Sequence, residues 1–193
     1  MHENRNLEQL ESYLGIIREA PSDEGVVEMI VARPKTNTRK ILKQAEIHQE
    51  QGLVGDNWQA RGDKHSADGS ADPGRQLTIM NSRVIDAITG SPERWPEAGD
   101  QLFVDFDLDE KNVPIGSHIA IGDAVVEVTP LPHLGCSKFS ARFGRDATEF
   151  VNSVEGKTLK LRGINARVIK PGIVSQGSVV RKLGRVDSAR QKG

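Results

Sequence analysis

The sequence predicts a mainly β domain, a barrel or sandwich of short strands decorated with a few short helices. Three observations carry that reading. Nine prolines and nineteen glycines are spread between short apolar runs over 193 residues, so that turn signals punctuate strand-length segments about every eight to twelve residues. Two of those runs, His118–Ile121 and Ala124–Val128, flank Gly122-Asp123, a two-residue link suited to a tight hairpin. Helical periodicity, by contrast, is confined to a few short segments.

In chain order, residues 4–19 place Leu7, Leu10, Leu14 and Ile17 at near-helical spacing, and Pro21 ends the helix. This gives an N-terminal helical extension over residues 1–22. Gly25–Ala32 is a buried strand that stops before Arg33-Pro34. Lys35–Lys40 is a cationic loop, read as solvated rather than as facing an anion, and Ile41–Ile47 forms another short element. After Gly52–Trp58, residues 59–75 are polar and long enough for a functional loop over a pocket. Asp63, His65, Asp68 and Asp72 invite a metal reading there. The calcium-loop template fails, because placing Gly69 at its glycine position puts Lys64 first and Arg75 last. A mobile surface loop is the expectation.

Gln76–Met80 reads as a strand, followed by a helix that Ser82 caps, that holds Val84, Ile85 and Ile88, and that Gly90 closes. Trp95 anchors a turn-rich link over Pro92–Gly99. Leu102, Val104, Phe106 and Leu108 predict a half-buried strand. Past the hairpin, Cys136 leads into a helix and Asp146 caps a second short one through Val151. Thr158–Leu161, Ile164–Ile169, Ile173-Val174 and Ser178–Val180 complete the strands. The domain body thus runs over residues 23–183, and residues 184–193 read as a frayed, flexible tail.

Composition bounds the function classes. Hydrophobic residues at 36% and charged ones at 27% describe a globular chain able to bury one core. No apolar run approaches the roughly 20 residues that cross a bilayer, and the polar start predicts no secretory signal. With one cysteine, a reducing cytoplasm is the expected compartment. A formal net charge of −1 gives no overall pull towards nucleic acid. Neither type of phosphate-cradling glycine loop is present, nor a Gly-x-Ser-x-Gly elbow.

Cys136 is what remains. A thiol at a helix N-terminus, with Lys138, Arg142 and Arg145 just downstream, has its pKa drawn below the free value of about 8.5. The competing reading is a small buried hydrophobe, and local chemistry alone leaves the two open. His133, three residues earlier, offers a Cys–His dyad as a lesser alternative. No second cysteine or His pair completes a zinc set. A soft thiolate beside scattered arginines fits a phosphorylated, sulfur-linked metal cofactor better than a simple hydrolase.

Several ordered segments then resemble the MOSC domain, named from the C-terminal domain of molybdenum cofactor sulfurase, in its stand-alone bacterial form. They are Gly52-Leu53-Val54-Gly55-Asp56, the hairpin around Ile121-Gly122-Asp123, Pro132-His133-Leu134-Gly135-Cys136, and Leu161-Arg162-Gly163-Ile164-Asn165-Ala166-Arg167-Val168 with Pro171-Gly172. The resemblance implies a β-barrel with Cys136 as ligand to the metal of a molybdenum cofactor (Mo-pterin) or as a persulfide sulfur carrier. It also implies that Arg162, Arg167 and Lys138 supply cofactor-pocket charge and that Asp56 orders the loop at the pocket mouth. Better-studied relatives reduce N-hydroxylated compounds with electrons from a partner protein, which here implies an oxidoreductase or sulfur carrier served by an electron- or sulfur-donor protein. Two segments differ from the family pattern. Gly62–Ser66 stands where many stand-alone relatives have His-Gly-Gly, and Gly99-Asp100-Gln101-Leu102 where many have Gly-Glu-Asn-Leu. They motivate a second reading, a non-catalytic binding module on a barrel that has lost the cofactor.

Overall fold

A computed structural model describes residues 4–63 and 66–184. Two short helices, α1 (Leu7–Glu11) and α2 (Leu14–Arg18), lead into the first long strand, β1 (Glu24–Ala32). Then come β2 (Lys40–Leu42), β3 (Gln44–His48), β4 (Gly52–Leu53) and α3 (Trp58–Arg61). The middle of the chain holds β5 (Leu77–Asn81), α4 (Ser82–Thr89), β6 (Leu102–Asp105), β7 (His118–Ile121) and β8 (Ala124–Val128). It ends with α5 (Ser137–Asn152), α6 (Val154–Thr158), β9 (Ile164–Lys170), β10 (Gly172–Ser175) and β11 (Val179–Gly184).

Seven strands close a barrel in the order β1-β6-β5-β9-β8-β7-β11, with β11 returning to pair with β1. The predicted β-barrel with short peripheral helices is the observed architecture. Strand β2 extends β1 at one end, and β10-β3-β4 make a small separate sheet. Barrel neighbours are antiparallel except β5 and β6, whose parallel pairing requires a crossover. That crossover is α4 plus the 3-10 turn Pro92–Ala98.

The crossover accounts for two kinds of strand. Helices α4 and α5 cover the outer faces of β1, β5 and β6, so those strands are apolar on both sides. Ile30, Ile79, Leu102 and Val104 fill the barrel, while Val31, Met80 and Phe103 pack outward against Ile85, Phe139, Phe143 and Trp95. Strands β7 and β8 carry no such cover, and their burial alternates residue by residue. A bulge between Val27 and Met29 shifts the register of β1 on β6, which lets Val27 and Ile30, three apart, both face the interior. Each fully buried large side chain contributes roughly 1.5–3 kcal/mol relative to exposure.

Several expectations are corrected in detail. The single helix over 4–19 is two helices, and Asn6 opens the first with a capping box. Asn81, not Ser82, caps α4. The strand through Leu102 is buried on both faces at Phe103 and ends at Asp105. The two helices after Cys136 are one run kinked at Gly144, where φ is 90°. Asp146 accepts from the Leu7 amide at 3.2 Å instead of capping its own helix. Thr158–Leu161 is no strand: α6 runs to Thr158, and Lys160 then adopts a left-handed φ of 51°. Apolar residues there mislead because Leu161 is buried by the helical layer rather than by the barrel. Gly184 still pairs with His118 in β11, and the remainder of the predicted tail lies outside the described residues. Among the described residues no helix is long and apolar enough to cross a membrane.

Gly163 fixes the path from that turn into β9. Its φ is +100°, and a Cβ there would lie 2.2 Å from the Ile79 carbonyl oxygen on β5. Gly163→Ala is therefore expected to destabilise the fold by about 2–4 kcal/mol, read as a lower denaturation midpoint in chemical unfolding.

Candidate functional site

Cys136 is the N-cap of α5, in extended conformation with φ −105° and ψ 178°, and its side chain is exposed. The strand-to-helix passage thus presents the sulfur at the helix N-terminus rather than in the core, which removes the buried-hydrophobe reading. Partial burial pushes the thiol pKa up, but the backbone N–H groups of Phe139 and Lys138 and the Arg162 charge outweigh it, and the net shift is downward. No cap hydrogen bond to Sγ with full geometry accompanies those amides. Their effect is that of the helix-terminal dipole.

The thiol borders a cleft of about 240 Å³ whose lining includes Arg33, Lys35, Arg39, Arg61, Lys138, Arg142 and Arg162, and no carboxylate. Among the described residues two of these cations are neutralised by ion pairs, both buried. Asp56 accepts from Arg33 Nε at 2.7 Å and Nη2 at 2.9 Å. It also accepts from the Arg33 and Trp58 amides, at 2.9 Å each. Asp100, fully enclosed, accepts from Arg162 Nη1 at 2.6 Å and from His133 Nε2 at 2.8 Å. Among the described residues Arg39, Arg142, Lys35, Lys138 and Arg61 have no carboxylate at salt-bridge distance. Arg39 and Arg142 are positioned by carbonyls instead, of Pro96 at 3.1 Å and Glu97 at 2.6 Å. Burial and then the Arg142 and Arg33 charges lower the Arg39 pKa, and burial and then Arg33 lower that of Arg61. The cleft is thus a concentration of positive charge short of counter-charge.

Gly99 makes room for it. Its φ is +88°, and a Cβ there would stand 3.2 Å from an Arg39 terminal nitrogen. The next residue, Asp100, has its pKa raised by burial but lowered further by Arg162 and His133, so it stays ionised. Burial and the Arg162 charge lower the His133 pKa, against the pull of Asp100. A neutral ring next to an ionised carboxylate donates through Nε2. His133 lines the cleft with Cys136 and bonds Asp100 through Nε2, but among the described residues no hydrogen bond joins it to Cys136, so the Cys–His dyad is not formed in this structure.

The structure brings Cys136, Lys138 and Arg162 together. Asp56 stands behind the lining, where it anchors Arg33 and the start of α3. Arg167 is not brought there: it is half exposed on β9 and paired with Glu127 at 2.9 Å. Arg145 is exposed and lies outside the lining. Sequence reasoning missed Arg33, Arg39 and Arg61, and took the 35–40 loop for a solvated one. Their only signal was a repeated Arg or Lys on segments flanking glycine and proline. Among the described residues, which leave out one of the four side chains of the metal reading over 63–72, no group of three His, Cys, Asp or Glu could hold an ion. Asp63 and Asp72 face Arg75 at 3.3 and 3.9 Å, Asp68 bonds Ser66, and His65 lies outside the described residues. The altered Gly99–Leu102 segment is fully satisfied, with Gln101 Oε1 accepting from the Thr78 amide and hydroxyl at 2.8 Å each. A larger cavity of about 470 Å³ lies between α2, α6 and residues 107–111, but it presents no thiol or imidazole and mixes both charge signs.

A family model for the MOSC domain matches residues 56–181. Among solved structures, YiiM from Geobacillus stearothermophilus superposes with a TM-score of 0.59 at 18% identity, covering 86% of this chain and 78% of that one. YiiM from Escherichia coli gives 0.54 at 21%, covering 84% and 71%. The YUAD protein from Bacillus subtilis gives 0.55 at 19%, covering 81% and 94%. At these identities the likeness concerns the fold. No curated protein matches the chain significantly.

Asp100→Asn would leave Arg162 buried beside a neutral amide, at a cost of about 3–5 kcal/mol. Because the native carboxyl pKa is depressed, its stabilisation is present above the unfolded value of about 3.9 and is lost as pH falls below it. Unfolding midpoints measured through that acid range should therefore fall for the native chain, and the gap to Asp100→Asn should narrow.

Proposed function

As the chain belongs to the MOSC domain family, we propose that its cationic cleft binds the phosphorylated molybdenum–pterin cofactor, with Cys136 as metal ligand or sulfur carrier. The observation that carries this reading is the juxtaposition of one exposed, acid-shifted thiol with five cationic side chains that have no carboxylate at salt-bridge distance among the described residues. The donor set fits the guest on both counts. A thiolate is a soft ligand suited to such a metal, and guanidinium forks suit phosphate oxygens. Arg39, Arg142 and Lys138 would hold the anionic end, and Cys136 would hold the metal or a persulfide sulfur. When bound, the group supplies a redox-active metal centre.

The chain's own residues do the rest. The N-terminus of α5 and Arg162 favour the ionised form of the sulfur, and Asp100 holds Arg162 against the Phe139 ring at 4.9 Å. His133, held neutral, adds no further charge to the cleft. In this reading the reaction class is reduction of N-hydroxylated compounds with electrons from a partner protein, or passage of sulfur from a donor protein.

Protein purified natively should carry molybdenum with a fluorescent pterin, or one added sulfur on Cys136 in non-reducing intact mass. Cys136→Ser should lose both while unfolding within about 0.5 kcal/mol of the native chain, because the side chain is exposed. A native chain with no metal, no pterin and no added sulfur overturns this reading and leaves a non-catalytic binding barrel.

A further inference from the structure

Behind the wall formed by His133 and Arg162 lies a second pocket of about 270 Å³, whose lining includes Pro132, Leu134, Val151, Lys157, Lys160 and Arg162. We infer that this pocket binds a small organic carboxylate, with its charge on Lys157, Lys160 and Arg162 and its apolar body on Pro132, Leu134 and Val151. The inference does not rest on the cofactor reading: Arg162 and His133 border both spaces, but Cys136 and the cations Arg39 and Arg142 are absent from this lining.

Four observations converge on it. First, the lining holds three cations and no carboxylate; Arg162 is paired behind the wall with Asp100, while the acid nearest to Lys160 is Glu110, at a loose 3.9 Å. Lys157 has no ion-pair partner among the described residues. Second, Arg162 is almost wholly buried and its Nη atoms are committed to Asp100 and to the Ala98 carbonyl. Its Nε is nonetheless buried with no hydrogen-bond partner. An orphaned buried donor of that kind is destabilising unless something accepts from it. Third, Lys160 has a left-handed φ of 51°, a conformation unfavourable for a long side chain. That turn puts Lys160 and Arg162, two residues apart, on one pocket. Fourth, Leu134 is 44% exposed, leaving an apolar surface at the mouth.

Size and shape then select the ligand. The volume is below the usual range for drug-sized ligands, so the guest is small. An adjoining recess of about 90 Å³, lined in part by Val128, Leu131 and Ile164, shares Pro132, His133 and Lys160 with it and extends the apolar wall. A bare inorganic anion would leave that wall wet, whereas a carboxylate on a ring or branched chain covers it.

The test is calorimetric titration of the whole chain with benzoate, repeated with inorganic phosphate. Benzoate should bind saturably at one site. Lys157→Ala combined with Lys160→Ala should weaken it at least about tenfold, and Leu134→Glu should abolish it. The two lysines and Leu134 are on the surface, and circular dichroism confirms that each variant is folded. Arg39→Ala with Arg142→Ala, in the other cleft, should leave benzoate binding unchanged and should weaken phosphate binding. The inference is overturned if the native chain shows no saturable benzoate binding, if the lysine pair can be removed without effect, or if phosphate binds this pocket as well as benzoate does. A chain without metal or pterin that still binds benzoate here defeats the cofactor reading alone.

Discussion

The cleft depends on the buried carboxylate of Asp100. It receives Arg162 from the turn before β9 on one oxygen and His133 from the segment before α5 on the other. Three stretches far apart in sequence are thereby tied at one point: the start of β6, the approach to Cys136 and the entry to β9. Removing a charge from such a point strands its partner away from water, which is why one buried acid governs the placement of the thiol's surroundings. Asp56 plays the parallel part on the opposite wall, holding Arg33 and the first turn of α3.

These two acids also set the electrostatics. Both are behind the surface, and each is consumed by the arginine it holds. The outer cations, Arg39, Arg142, Lys35, Lys138 and Arg61, therefore project an uncompensated field into a concave space, where it attracts an anionic guest. The same field, with the amides at the start of α5, favours the ionised form of Cys136. Nucleophile or ligand and counter-charge thus come from one arrangement of side chains around the cleft. On the far side of the His133–Arg162 wall, Lys157 and Lys160 border a different, half-apolar space.

Much of the fold was legible in the sequence because its cues are local. The hairpin at Gly122-Asp123 forms as read, with Gly122 at φ +57°. The apolar run of β1, broken only by Glu28, marked a buried strand. What misled were residues whose burial comes from distant partners: Leu161 suggested a strand but packs under a helix, and Asp146 suggested a cap but serves Leu7. Of the candidate cleft, Cys136 and Arg162 were singled out because they stand in ordered motifs, and Lys138 because it follows the thiol. Arg39 and Arg61 were not, since a net charge of −1 averages away any local excess, and only the folded chain shows which cations share a cleft. Arg167 lies five residues after Arg162 in the same motif, yet β9 turns it outward to Glu127.

The central claim is that the thiol and the cationic lining act on one anionic guest. The most direct measurement is the rate of Cys136 alkylation by iodoacetamide at neutral pH, with increasing inorganic pyrophosphate. The account predicts saturable protection that disappears in a chain carrying Arg39→Ala and Arg142→Ala. An alkylation rate indifferent to pyrophosphate at every concentration would contradict it.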